Sequence, residues 1–197
     1  MRTLVIFAHP STESYGAALL DTACRALEAA GHDLRVIDLY REDFDPVLRE
    51  PDWTLYKTAP QELIPDVRAH VEAMEWADSL VLVYPTWMYG PPAILKGWLE
   101  RVWLPGVAFE VPSGMKKRAQ GKLDNIRRFT VITTSGSPWW WLRLIRDPGR
   151  SMMLRGFRVL FSRQCRVKWL QLHDMNHRTD HDRRAFLDRV QQTLAGA

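Results

Sequence analysis

The chain has 197 residues, 46% of them hydrophobic and 25% charged, with a formal net charge of +4. No uninterrupted apolar run approaches the ~20 residues that a membrane-spanning helix needs, and so modest a charge does not argue for a nucleic-acid partner. One domain over residues 1–197, long enough to bury a good core, is expected.

Thr3 to Ala8 is an apolar run that reads as the core of a buried strand over 2–8. It opens the chain so early that no signal peptide is expected. Apolar residues from Ala17 to Ala30 recur at helical spacing and stop at Gly31, which predicts a helix over 14–30. Leu34 to Leu39 is a second strand. Residues 43–56 are expected to be irregular, because Pro46 and Pro51 break a helix there. A helix over 60–76 carries Leu63, Val67, Val71 and Met74. A strand over 79–84 and a helix over 91–103 follow, with Pro91 and Pro92 suited to a first helical turn.

Pro112 to Asp124 is polar and basic and contains Gly, which suits a surface excursion. A strand over 128–134 comes next, then helical structure over 148–162, a strand over 165–172 and a helix over 183–194. This alternation argues an α/β fold, a doubly wound parallel sheet with helices on both faces. Five strands in the order 2-1-3-4-5 are expected. Cys24 and Cys165 sit far apart in apolar patterns, as reduced buried thiols of a cytoplasmic protein would.

Three strand exits carry chemistry suited to a ligand. The first, His9 to Gly16, places hydroxyls of Ser11, Thr12 and Ser14 at a helix start, beside free N–H groups. Plain capping by Ser14 is the competing explanation. The second, Tyr84 to Pro92, holds Trp87, Met88 and Tyr89, a flat and polarizable surface suited to a planar ring. The third, after Thr133 and Thr134, is Ser135-Gly136-Ser137-Pro138. A doubly wound sheet brings such exits to one edge. No G-x-G-x-x-G or G-x-x-x-x-G-K-[ST] is present, so dinucleotide-fold and P-loop readings are disfavoured.

On these residues the chain resembles the flavodoxin-fold NAD(P)H:quinone oxidoreductases. That family includes DT-diaphorase-like enzymes and the flavoproteins ancillary to bacterial potassium-efflux systems. The likeness rests on His9-Pro10 with Ser14-Tyr15, the run Tyr84 to Val102 with Leu104 to Phe109, and Thr133 to Gly136. It implies a bound flavin, hydride transfer from NAD(P)H to a quinone-like acceptor, and a homodimer with shared sites. It implies that His9, Ser14 and Tyr15 line the flavin phosphate. Pro85, Thr86, Trp87 and Met88 would contact the ring, and Thr133, Thr134 and Gly136 its other edge. FMN is expected rather than FAD, because Gly16 replaces an Asn common in the family. Trp139-Trp140-Trp141 stand where quinone-binding members carry a Tyr and a His, which leaves no evident proton donor there.

Trp139 to Lys168 is rich in Arg and aromatics. It suits a dimer interface, a lid whose arginines grip the 2′-phosphate of NADPH, or a patch on anionic lipid. The last fits an alternative function, a regulatory flavoprotein docking on a membrane transporter. His173, His177 and His181 recur every four residues, which on one helix would make a metal site. The segment is polar and loop-like, so no metal is expected, and Thr179 or Asp180 caps the last helix.

Overall fold

The computed structural model of the chain describes residues 1–111 and 120–196. Most of the excursion expected over Pro112 to Asp124 lies outside these residues.

Five strands form one sheet: β1 (Arg2–Phe7), β2 (Asp33–Asp38), β3 (Ser79–Pro85), β6 (Arg128–Thr134) and β7 (Arg166–Leu172). Every pairing is parallel and the order is β2-β1-β3-β6-β7. Counted along these core strands, that is the expected 2-1-3-4-5. A two-residue pair, β4 (Phe109–Glu110) with β5 (Gln120–Gly121), forms a separate antiparallel ladder.

The central strands are apolar on both faces because helices cover both. On one face Val5, Phe7, Val81, Val83 and Ile132 pack with α1 (Tyr15–Ala29) and α7 (Asp180–Ala195). On the other, Leu4, Ile6, Leu80, Leu82 and Val131 pack with α3 (Ile64–Trp76) and α4 (Ala93–Val102). Edge-to-face aromatic contacts extend that second core from Trp98 through Trp103 to Phe157 and Phe161. No helix among the described residues is long and apolar enough to cross a membrane.

Two expectations need correction, and one helix was not foreseen. Within the region expected to be irregular, residues 50–58 form a helix, α2 (Glu50–Thr58). Pro51 sits in its first turn, where its missing N–H has no carbonyl to serve, so it starts the helix instead of breaking it. Trp139–Leu144 is helical, as α5. Residues 148–160 are not one helix but a broken run. It consists of α6 (Pro148–Ser151), a wide turn over Met152–Gly156 and a tight turn over Phe157–Leu160. Two successive residues with positive φ, Arg146 at 62° and Asp147 at 39°, separate α5 from α6.

Gly97 lies inside α4, where a glycine is about 1 kcal/mol worse than alanine on propensity alone. Packing explains it: a Cβ there would stand 2.2 Å from the carbonyl oxygen of Pro46. Gly97→Ala should therefore destabilise the protein by ~1–3 kcal/mol, the usual range for an overfilled core. Chemical denaturation checks the sign, since propensity alone predicts a gain.

Candidate functional site

The parallel register delivers the three strand exits to one edge. Past the end of β1, Ala8 N–H donates to Val83 O at 3.1 Å, and past β3, Thr86 N–H donates to Thr134 O at 2.7 Å. A cavity of about 180 Å³ opens there, lined by His9, Tyr15, Gly16, Pro85, Thr134 and Met175 among others.

The first loop is built from its own hydrogen bonds. Ser11 N–H donates to His9 Nδ1 at 3.0 Å, and Glu13 N–H to Ser11 Oγ at 3.2 Å. Ser14 Oγ donates to Ser11 O and accepts from Ala17 N–H at 3.1 Å, so Ser14 is the cap of α1. The N–H groups of Tyr15 and Gly16 open that helix and have no intrahelical acceptor. The Tyr15 hydroxyl turns away and donates to Arg183 O at 2.7 Å, which leaves the ring to face the cavity. Burial pushes that phenol up to about 12, against the pull of Arg183. Arg183 keeps a buried Nε with no partner among the described residues.

The second loop is a tight turn. Trp87 N–H donates to Gly90 O and Gly90 N–H to Trp87 O, at 2.9 and 3.0 Å. The two residues between them, Met88 and Tyr89, have φ of 46° and 64°. Such a turn ordinarily takes Asn-Gly; here two large side chains occupy it, at a cost of order 1–3 kcal/mol each. The turn presents Trp87 at 43%, Met88 at 93% and Tyr89 at 38% exposure. Trp87 is therefore a rim residue and not core. Its ring lies 6.3 Å from that of His9. Tyr89 accepts a bond from Trp141 Nε1 at 3.2 Å, and its carbonyl abuts Gly149 so closely that a Cβ there would stand 2.7 Å away.

The third exit divides by strand alternation. Thr134 lines the cavity, whereas Thr133 is fully buried with its hydroxyl on Thr86 Oγ1 at 3.0 Å. That pair latches β3 to β6. Gly136 packs near the side-chain amide of Asn176. The structure thus gathers His9, Tyr15, Pro85 and Thr134 on one cavity with Trp87 at its rim. Ser14, Thr86 and Thr133 shape the loops, and Met88 projects into solvent.

Met175 and Arg183 were not foreseen. Met175 follows the exit of β7, and its N–H donates to Ser135 O at 2.9 Å. Treating the fifth strand's exit like the other three would have found it. His173, His177 and His181 fall on separate elements: past the end of β7, in a short turn over Met175–His177, and in α7. Among the described residues no group of three His, Cys, Asp or Glu could hold a metal ion. Thr179 caps α7 through Asp182 N–H.

The residues present fit a flavin. An apolar, aromatic edge suits a ring, and the helix-start N–H groups, with the half-exposed Arg183 nearby, suit an anionic tail. Fold and crevice together define a doubly wound α/β protein with a cavity at its carboxyl edge, where proteins of this class take their ligands. The family model described as flavodoxin-like fold matches residues 1–194, and the chain belongs to that family.

The chain is 33% identical over 151 residues to NAD(P)H dehydrogenase (quinone) 1 of Cavia porcellus, a match covering 69% of this chain and 54% of the relative. The first curated relatives are matched over 54–66% of their own length. Among solved structures, Smu.1420 from Streptococcus mutans UA159 superposes with a TM-score of 0.85 at 27% identity, over 100% of both chains. The NAD(P)H:quinone oxidoreductase from Methanothermobacter marburgensis does so at 0.81 and 29%, over 100% of this chain and 95% of that one.

Two substitutions separate strain from capping. Met88→Asn removes almost no packing and places at φ 46° a residue that tolerates it, so stability should rise by ~0.5–1 kcal/mol. Ser14→Ala should lower stability by about 1 kcal/mol. Equilibrium denaturation of both variants measures the two effects.

Proposed function

We propose that this protein is a flavin-dependent oxidoreductase that passes hydride from NAD(P)H to a quinone or a similar aromatic acceptor. The observation that carries this reading is the convergence of three loops on one cavity beneath a strained aromatic turn. The names of its relatives support it; nothing in them supports a regulatory subunit of a transporter.

A flavin, when bound, supplies the centre that takes up hydride and hands it on. The N–H groups of Tyr15 and Gly16 would hold its phosphate, with the Arg183 charge behind them. Pro85, Thr134 and the ring of Tyr15 would confine its ring system, and Met175 would close the far side. Trp87 and Tyr89 would give an incoming nicotinamide or quinone a stacking surface and exclude water. FMN is preferred to FAD, because Gly16 offers no side chain to a second phosphate. A homodimer would cover the exposed Trp140 and Leu144, apolar surface of the kind interfaces bury.

No tryptophan can donate a proton to the acceptor near neutral pH. The Tyr84 hydroxyl is buried without a partner among the described residues, and burial followed by the nearby Asp147 pushes its pKa upward. His173 is held below its ordinary value by burial, Arg178 and Arg150, with Asp147 opposing. Acceptor reduction should vary little between about pH 6 and 8, the range in which an ordinary histidine titrates. An inflection there that His9→Gln abolishes would instead identify His9 as the acid.

Absorbance of the purified protein, with mass analysis of the released cofactor, should show a flavin, and NAD(P)H should then reduce quinones. A colourless protein that takes up no flavin on titration overturns the proposal. Trp87→Ala should lower flavin affinity or turnover while changing stability by only ~0.5 kcal/mol, as for an exposed position.

A further inference from the structure

On the opposite face of the sheet edge lies a second and larger cavity, of about 650 Å³, between β7 and the run from α5 to the wide turn. Arg143, Arg146, Arg150 and Arg155 line it, and none of their guanidinium groups has an ion-pair or hydrogen-bond partner among the described residues. The one carboxylate on its wall, Asp147, accepts from Arg150 N–H at 3.1 Å as the cap of α6. Positive charge is therefore in excess around a space within the ordinary size of a small-ligand site.

The floor supplies an independent sign. Gln171 is 8% exposed and its Nε2 has no partner among the described residues. Its orientation is determined, because Oε1 accepts from Trp169 Nε1 at 2.8 Å and an indole N–H can only donate. Two buried N–H donors thus remain unused on the cavity wall. His173 Nδ1, also on that wall, is buried and likewise has no partner among the described residues. Buried donors without acceptors are rare; beside four unpaired arginines they ask for an anion. Trp139 and Trp169 add aromatic surface to the same wall.

We propose that this cavity binds a phosphate-bearing nucleotide, with its phosphate on the arginines and the Gln171 amide and its base against the indoles. Arginine forks suit phosphate oxygens, and indoles suit a base. The wall adjoins the aromatic turn, since Trp141 bonds Tyr89 and Gly149 abuts it. The 2′-phosphate of NADPH is one source of this chemistry and a free nucleotide is the other. Only the choice of NADPH rests on the oxidoreductase reading.

The test is calorimetric titration of the whole 197-residue chain with adenosine 2′,5′-bisphosphate and with 5′-AMP. The bisphosphate should bind. The double variant Arg143→Gln, Arg150→Gln should weaken it by about tenfold or more, the loss expected for charge-assisted bonds. Gln171→Glu keeps the acceptor for Trp169 but replaces the donors with an acceptor, and should abolish binding. Melting curves establish that each variant is folded. Displacement of the bisphosphate by NADPH assigns the site to the co-substrate. Equal binding of 5′-AMP without displacement by NADPH assigns it to a free nucleotide. Absence of binding by both probes, or affinities unchanged in the folded variants, overturns the proposal. Flavin content is read by absorbance on the same sample. A yellow protein that binds neither probe refutes this inference alone, and a colourless one that binds refutes only the oxidoreductase reading.

Discussion

The site hangs on the parallel ladder that joins β1, β3, β6 and β7. Parallel strands all leave the sheet at the same edge, and each exit is tied to its neighbour by one further main-chain bond. Ala8 bonds Val83, Thr86 bonds Thr134, and Ser135 bonds Leu172. These bonds hold the loops at a set stagger before any side chain acts. A slip of one residue would send every side chain to the opposite face, moving Thr134 from the cavity and putting Thr133 in its place.

The same alternation gives one edge two unlike chambers. Thr134 faces the α1 side, where the wall is aromatic and apolar, with backbone N–H groups at its end. Gln171, paired in register with Thr133, faces the other side, where the wall is basic. Two strained turns meet between them, Met88-Tyr89 and Arg146-Asp147, with Gly149 in contact with Tyr89. Strain of this sort persists only where surrounding contacts overdetermine the backbone. Here these include the paired bonds between Trp87 and Gly90 and the bond from Asp147 N–H to Leu142 O.

Much of this was legible in the sequence, for a physical reason. Strands such as Leu80 to Val83 are buried on both faces, and helices such as α1 carry a regular apolar stripe, so burial wrote both patterns plainly. The second loop was legible because Trp, Met and Tyr have no structural reason to crowd a strand exit. What the sequence concealed depends on direction and not on composition. Nothing in Tyr15 says that its hydroxyl turns to Arg183, nor in Thr133 that its hydroxyl is used on Thr86. Pro51 was misread because proline breaks a helix interior yet suits a first turn, and only the fold says which applies. The basic segment was visible as charge, but its cavity is made by the positive-φ turn at Arg146-Asp147, which spacing does not encode.

The distribution of the nine tryptophans has an optical consequence. Trp98 and Trp103 are buried at 0% and 4% exposure, whereas Trp87, Trp139 and Trp140 stand in water around the carboxyl edge and its α5 wall. Indole emission moves to longer wavelength as its surroundings become more polar. The protein therefore carries two fluorescent populations, a blue one inside the core and a red one made up of the tryptophans around its two chambers together with Trp53 on α2. A ring that absorbs at these wavelengths and settles at that edge would quench the red population first. The molecule thus has a built-in optical gauge of occupancy, readable without a label.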